Sequence, residues 1–273
     1  MPLAATLPLL SIALGLASAA MFLLVARTVW ARPVSQESVR ARNAFVTWWG
    51  VLGFVTGVGL VRQAPGFPAS VTAFLAVSII SLAVLCVGLW GLLYYLLFLF
   101  TSRRGLALPL ALGYVLYFAF LAAFILGGNP TSVASTKWGP EIVYSDPLDS
   151  GPVYWTAVML LILPPFLAAG GYLSLYWKVT DPVQKRRILL VSLSILVWFG
   201  SALVGTGAGE SDWWHIASRL IGLGAATTIY YAYRGLRPGE PQAFTHTPRP
   251  SEEPPLYGAP PRKGVSRVSR LAV

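Results

Sequence analysis

The sequence predicts an all-α integral membrane protein, a seven-transmembrane-helix bundle with the N-terminus outside and the C-terminus in the cytoplasm. Long apolar runs cover most of residues 1–236, basic residues gather in alternate loops, and aromatic residues fall near the expected membrane boundaries. A helix needs ~20 apolar residues to cross the ~30 Å hydrocarbon layer. We therefore expect a transmembrane domain over residues 1–236 and a disordered, basic, Pro-rich cytoplasmic tail over residues 237–273.

Seven apolar runs supply the helices in chain order. Six contain no Asp, Glu, Lys or Arg, and the seventh is interrupted only by Arg219. The runs cover residues 1–26, 43–61, 63–102, 105–136, 150–177, 188–209 and 213–233. The first contains Ala-Ser-Ala at 17–19, which resembles a signal-peptide cleavage site, but no basic residue precedes it and Arg27 follows it. A cleaved signal peptide has the opposite charge order, so we expect a retained helix.

The longest loop and the helix that follows it each carry a local signal. The loop, residues 127–152, is rich in Gly, Pro and Ser, and we expect it to cap the outer side of the bundle. The fifth run contains Pro164 and Pro165, which remove two backbone donors. We therefore predict a kink in helix 5 at these prolines.

The distribution of basic residues predicts the orientation. Of the 20 Lys and Arg residues, all but Arg62, Lys137 and Arg219 lie in the segments that follow helices 1, 3, 5 and 7. Basic loops stay cytoplasmic, which predicts a multi-pass protein of the plasma membrane. The net charge of +10 is therefore a topological signal. Since this charge is spread over four segments, we expect the lipid bilayer, and not a nucleic acid, as its partner.

Tryptophans indicate where the membrane boundaries lie, because interfacial aromatic residues anchor helices at the headgroup level. We expect Trp30, Trp48, Trp49 and Trp177 at the inner boundary, and Trp138, Trp155, Trp213 and Trp214 at the outer one. Trp90 and Trp198 lie midway along their helices, where packing is the expected role.

Similar motifs in helices 2 and 6 suggest an internal repeat. Trp-Trp-Gly at 48–50 is followed by Thr-Gly-Val-Gly at 56–59, and Trp-Phe-Gly at 198–200 is followed by Thr-Gly-Ala-Gly at 206–209. Both helices run from inside to outside. Helices 1–3 would then correspond to helices 5–7, with helix 4 as a connector, a 3+1+3 design of the parallel-repeat kind found in transporters. Coincidence in a Trp- and Gly-rich composition is the alternative.

Glycines in the same two helices predict close helix packing. Small residues let backbones approach each other in lipid. The predicted packing positions are Gly50, Gly53 and Gly57 in helix 2 and Gly200 and Gly205 in helix 6.

Arg219 is the strongest local candidate for a functional site. It lies one turn after His215 on the same face of helix 7, and a buried arginine needs a partner, hydration or a route to the interface. The expected partners are outer acidic residues, Glu210, Asp212, Asp146 and Asp149. One interpretation is an ion pair that holds the long loop on the bundle. The other is an outward-facing ligand pocket for an anion or a proton-linked group, with His215 as its pH-sensitive member.

Several function classes are excluded by the residues that their chemistry requires. No lysine lies in a helix core to form a retinal Schiff base, and one of the two histidines lies in the tail, so no bis-His haem forms in the membrane. Cys86 is the single cysteine, and no metal-binding Cys/His cluster exists. The helices also lack a nucleophile–base constellation. We therefore expect no enzymatic activity, no metal and no cofactor.

Four motifs follow one another within residues 154–205. They are Tyr-Trp at 154–155, the double proline at 164–165, Leu-Tyr-Trp-Lys at 175–178 and Asp-Pro-Val-Gln-Lys-Arg-Arg at 181–187. With this pattern the segment resembles the seven-helix N-terminal sensor regions of membrane histidine kinases. The resemblance implies a ligand-sensing bundle that passes signals inward. Since the sequence contains no kinase domain, we expect a sensor-like protein that acts in signal transduction through a protein partner in the membrane or at its inner face.

Two other functions stay open. The 3+1+3 design is similar to that of SWEET sugar transporters. The sequence lacks the paired-proline arrangement and the polar midplane that such a carrier should show, and the double proline at 164–165 does not supply that arrangement. An accessory subunit of a respiratory or export complex is the third hypothesis.

Overall fold

The computed structural model describes residues 3–32, 39–61, 67, 70–101, 104–136, 139–145, 151–207 and 212–234. The predicted tail, residues 237–273, lies outside this part of the chain. Seven α-helices dominate the described residues, with single 3-10 turns at Arg104–Leu106 and Leu175–Trp177. The helices are α1 (Leu3–Trp30), α2 (Val39–Val61), α3 (Val71–Thr101), α4 (Ala107–Gly127), α5 (Gly151–Ser174), α6 (Pro182–Gly207) and α7 (Asp212–Arg234).

Four of these helices are long and apolar enough to cross a membrane. They are α1 over Pro8–Trp30, α2, α3 and α4, and a shorter apolar stretch covers Leu161–Trp177 in and after α5. Such lengths exceed what the core of a water-soluble domain needs. The structure is therefore that of a membrane-embedded helical protein.

Six of the helices pack as a ring whose order follows the chain, with α4 left outside. Each ring helix contacts the next, in the order α1, α2, α3, α5, α6 and α7, and α7 closes the ring against α1. Helix α4 packs chiefly against α3, and Leu121 is its one buried residue. Among the described residues, α4 is thus the peripheral helix.

Aromatic side chains fill the centre of the ring. Trp48 of α2 stacks on Phe199 of α6, with ring centroids 6.0 Å apart and planes 13° from parallel. Phe22 of α1 lies 6.0 Å from the ring of Trp49 and 5.5 Å from that of Trp198. The prediction that Trp48 and Trp49 are interfacial anchors was wrong, because both are fully buried in this centre. Trp198 packs there as expected.

A β-hairpin follows α4. Strand β1 (Pro130–Thr136) pairs antiparallel with β2 (Gly139–Tyr144), and β1 also contacts α3. Ser132 pairs with Val143 and Val133 with Ile142, in a segment rich in the β-branched residues that favour strands. The all-α prediction was therefore incomplete here, since it placed only a capping loop in this segment. We call this side of the bundle the hairpin end.

The opposite side of the bundle is the basic end. Helices α1, α3, α5 and α7 end there and α2 and α6 begin there, as the alternating chain direction requires. It carries most of the described basic residues, among them Arg32, Arg187 and Arg234.

The helices approach each other most closely at glycines that only partly match the predicted set. A Cβ added at Gly53 would lie 2.8 Å from Leu23 Cγ and 3.0 Å from the Ala19 carbonyl oxygen, which marks the α1–α2 contact. An added Cβ would meet nothing within 4 Å at Gly50, Gly57 or Gly200, so these three positions do not mark close contacts. The surroundings of Gly205 lie outside the described residues.

The α2–α3 contact is closest at two glycines outside the predicted set. A Cβ at Gly88 would lie 2.6 Å from Val51 Cγ1, and one at Gly91 would lie 2.6 Å from the Ala44 carbonyl oxygen. Both glycines lie on α3, whereas the glycines predicted to pack closely lie on α2 and α6.

Helix α5 runs without interruption through both of its prolines. Pro164 and Pro165 are buried. The kink that we expected at these positions stays a prediction.

Candidate functional site

The structure describes part of the predicted site at the hairpin end. His215 and Arg219 lie one turn apart on α7, and both are partly buried. The Ser218 hydroxyl donates a hydrogen bond to the His215 carbonyl oxygen, 2.9 Å away. Within the described part of the chain, Arg219 forms no ion pair.

The acidic members of that site are not described. Asp212 begins α7, but its side chain lies outside the described residues, as do Glu210, Asp146 and Asp149. Their pairing with Arg219 therefore stays a prediction.

A second cluster of polar side chains lies at the basic end, inside the ring. The Nη2 atom of Arg32 donates a hydrogen bond to the carbonyl oxygen of Tyr233. The guanidinium carbon of Arg32 lies 5.2 Å from the centroid of the Tyr233 ring, and that of Arg187 lies 5.5 Å from the same centroid. Two cations, one from the segment after α1 and one from α6, thus converge on one aromatic ring.

Two further tyrosines complete this cluster. Tyr172 of α5 lies beside the phenol groups of both Tyr95 of α3 and Tyr233 of α7. Phe45 of α2 closes it on the side of the aromatic centre, with its ring 4.3 Å from Tyr95 and 6.0 Å from Tyr233. We call Arg32, Arg187, Tyr95, Tyr172 and Tyr233 the Arg–Tyr cluster.

Arg187 is deeply buried for a cation. Its side chain is only 7% exposed, and its Nε and Nη2 atoms have no hydrogen-bond partner in the described part of the chain. Arg186, its neighbour in sequence, is exposed. Buried polar groups are normally satisfied, so an unpaired guanidinium edge calls for an explanation.

No acidic side chain among the described residues neutralises the cluster. Asp181 is the one described acidic residue at the basic end, and its carboxylate instead accepts a hydrogen bond from the Val183 backbone N–H at the start of α6, 3.0 Å away. Burial, followed by repulsion from Arg187, lowers the pKa of Arg32 from its ordinary value to about 10. The cluster is therefore an electropositive site with spare hydrogen-bond donors.

The sequence interpretation missed this cluster because it treated Arg187 as one of several topological charges. A positional signal was present, since Arg187, Val191 and Ile195 recur at four-residue spacing and all three are buried. That spacing places Arg187 on the packed face of α6. The convergence with Arg32 and Tyr233 carried no such signal.

Comparisons of the chain with protein-family models, with curated proteins and with solved structures found no match. Within the described residues, no group of three or more His, Cys, Asp or Glu side chains is placed to hold a metal ion. Cys86 is buried in α3.

Proposed function

We propose that this protein is a non-enzymatic, sensor-like membrane protein that acts through a protein partner. The observation that carries the proposal is the aromatic centre of the ring. Side chains in stacked and edge-on contact occupy the place where a carrier needs a polar passage, namely Phe22, Trp48, Trp49, Trp198 and Phe199. This packing supports a sensor bundle, in which a ligand would change how the helices pack, over a carrier with a polar passage.

The aromatic centre also contains donors that a ligand could satisfy. The indole N–H groups of Trp48 and Trp49 are buried without a hydrogen-bond partner in the described part of the chain. A small ligand with an acceptor group would pair with them, in keeping with a sensing role.

The proposal places all seven helices across the plasma membrane, with the basic end in the cytoplasm. The concentration of basic residues at that end supports this orientation, because basic loops are retained on the cytoplasmic side. The N-terminus is then outside, and the C-terminal tail lies where it can meet a cytoplasmic partner.

Helix α4 is the surface that we assign to a partner within the membrane. Its exposed apolar residues lie on one arc of the helix, and this arc includes Leu108, Leu112, Val115 and Leu116. No ring helix covers this arc in the described structure. This observation also favours the alternative that the chain is a subunit of a larger membrane complex.

The transporter alternative is favoured by the order of the ring. In a 3+1+3 design, α1, α2 and α3 correspond to α5, α6 and α7, so the α7–α1 contact corresponds to the α3–α5 contact, and both occur. The two Trp-containing motifs meet across the centre through Trp48 and Phe199. This arrangement supports a duplicated origin without requiring transport.

Site-specific photo-crosslinking in intact cells tests the partner. A photoreactive phenylalanine at Leu116, which is 67% exposed on α4, should give a protein adduct of discrete size. The matched control is Val197, an exposed apolar residue on α6, which should react with lipid alone. Lipid adducts at both positions would overturn the assignment of α4.

Reconstitution tests the transporter alternative. Proteoliposomes that contain only this chain should take up labelled hexoses or amino acids no faster than empty liposomes. Uptake that depends on the protein would contradict the sensor proposal.

A further inference from the structure

We propose that Arg32 and Arg187 bind a phosphate group at the basic end of the ring. The group belongs to an anionic phospholipid or to a soluble phosphate, and both present the same oxyanion to the cluster. This inference concerns a ligand site and holds whether or not the protein signals through a partner.

The unpaired edge of Arg187 is the first observation. Nε and Nη2 form the side of a guanidinium group that donates two parallel hydrogen bonds to an oxyanion, and both are buried without a partner in the described structure. Arginine is suited to this geometry because its donors form a rigid planar fork. An oxyanion at this edge would satisfy both donors at once.

The second cation strengthens the assignment. The guanidinium carbons of Arg32 and Arg187 both lie within 5.5 Å of the centroid of the Tyr233 ring, and repulsion from Arg187 raises the cost of the positive charge on Arg32. An anion bound between the two guanidinium groups would attract both of them and offset this repulsion. Arg32 is partly exposed and connects the buried cluster with the surroundings of the protein.

The tyrosines supply neutral donors beside the two cations. The Tyr233 hydroxyl is buried without a hydrogen bond to the described residues, although the phenol of Tyr172 lies beside it. A hydroxyl group can turn its proton toward a phosphate oxygen. Guanidinium and phenol donors together suit a ligand that has several acceptor oxygens.

The position of the cluster agrees with this ligand. It lies at the ends of apolar helices, where the headgroups of a bilayer begin, and Trp30, two residues before Arg32, is exposed there. Anionic headgroups concentrate at a basic membrane surface. The same place is open to phosphates that arrive from water.

Thermal unfolding of the full chain in a maltoside detergent, which carries no phosphate, tests the proposal. Sodium phosphate should raise the unfolding temperature in a saturable way, whereas sodium chloride of equal ionic strength should not. R187M should weaken the apparent affinity for phosphate about 10- to 100-fold, as expected for the loss of charged hydrogen bonds. R186M, which removes the adjacent exposed cation, should respond as the wild type does.

A second arm distinguishes the source of the phosphate. Short-chain phosphatidylglycerol should stabilise the wild type more than the matching diacylglycerol, and inorganic phosphate should compete with it if the site holds a headgroup. Stabilisation by inorganic phosphate without an effect of phosphatidylglycerol would assign a soluble ligand. Either result supports the phosphate site.

Two outcomes would overturn it. The first is that neither phosphate source stabilises the wild type more than its control, and the second is that R187M keeps the wild-type response. In the first case, a phosphate response gained by E37Q would identify Glu37, in the sequence between α1 and α2, as the counter-ion. If R187M does not accumulate, R32Q and the wild-type titration decide between these results.

Discussion

Gly91 is a residue at which the smallest change of side chain should have a large effect. A Cβ there would lie 2.6 Å from the backbone oxygen of Ala44, and a backbone atom cannot move aside as a flexible side chain can. We expect Gly91→Ala to destabilise the protein by about 1–3 kcal/mol, the usual cost of overpacking. Unfolding of the purified chain by a denaturing detergent measures this change.

Gly50 provides the matched control for that substitution. An added Cβ meets nothing within 4 Å at Gly50, and alanine is the better helix former by about 1 kcal/mol. Gly50→Ala should therefore be neutral or stabilising. Equal effects of the two substitutions would mean that α2 and α3 do not approach each other at Gly91.

Arg219 is the second residue for which the structure permits a clear prediction. It is partly buried on α7, one turn from His215 and two turns from the start of the helix. Arg219→Met should be tolerated better than Arg219→Glu, because glutamate would place a negative charge next to the predicted acidic partners. The unfolding temperatures of the three proteins in detergent decide this, and identical values would indicate that Arg219 faces water.

Among the elements, α4 is held against α3 by packing and by a polar contact near its first residue. The indole Nε1 of Trp90 on α3 donates a hydrogen bond to the carbonyl oxygen of Ala107, the first residue of α4, 3.0 Å away. The Trp90 ring also stacks on Tyr94 of its own helix, and phenylalanine can keep that contact. Trp90→Phe should therefore remove the hydrogen bond alone and cost about 1 kcal/mol.

Trp177 is the control for this substitution, since its side chain is 82% exposed. Trp177→Phe should change the free energy of unfolding by less than about 0.5 kcal/mol. Cysteine crosslinking between α3 and α4 should also become slower in Trp90→Phe and stay unchanged in Trp177→Phe. A wild-type crosslinking rate in both variants would contradict the role of Trp90.

At the level of the whole molecule, the orientation in the membrane is the testable property. Ser132 is exposed on β1 at the hairpin end, and Ser251 belongs to the C-terminal tail. In a Cys86→Ser background, a cysteine at 132 should react with a membrane-impermeant thiol reagent in intact cells, and one at 251 should react only after permeabilisation. The reverse pattern would place the basic end outside.

The sequence by itself determined the existence of the seven helices and the grouping of basic residues at one end. Apolar length and loop charge are properties of the chain, so they need no knowledge of neighbours. The β-hairpin was harder to predict from the sequence, because its strands pair with each other inside a Gly- and Pro-containing segment that resembles an ordinary loop. The predicted acidic partners of Arg219 belong partly to this segment, at Asp146 and Asp149, and partly to the sequence around the start of α7, at Glu210 and Asp212. Their pairing with Arg219 stays a prediction.

Only the tertiary structure decided which residues meet. Arg32 reaches the backbone of Tyr233 across 201 residues of sequence, and Trp48 meets Phe199 across the ring. These contacts depend on how each helix is rotated and on which helices are neighbours, which local periodicity does not specify. For that reason two of the tryptophans expected at the interface, Trp48 and Trp49, are buried in the core, and Arg187, expected in a cytoplasmic loop, lies inside the bundle.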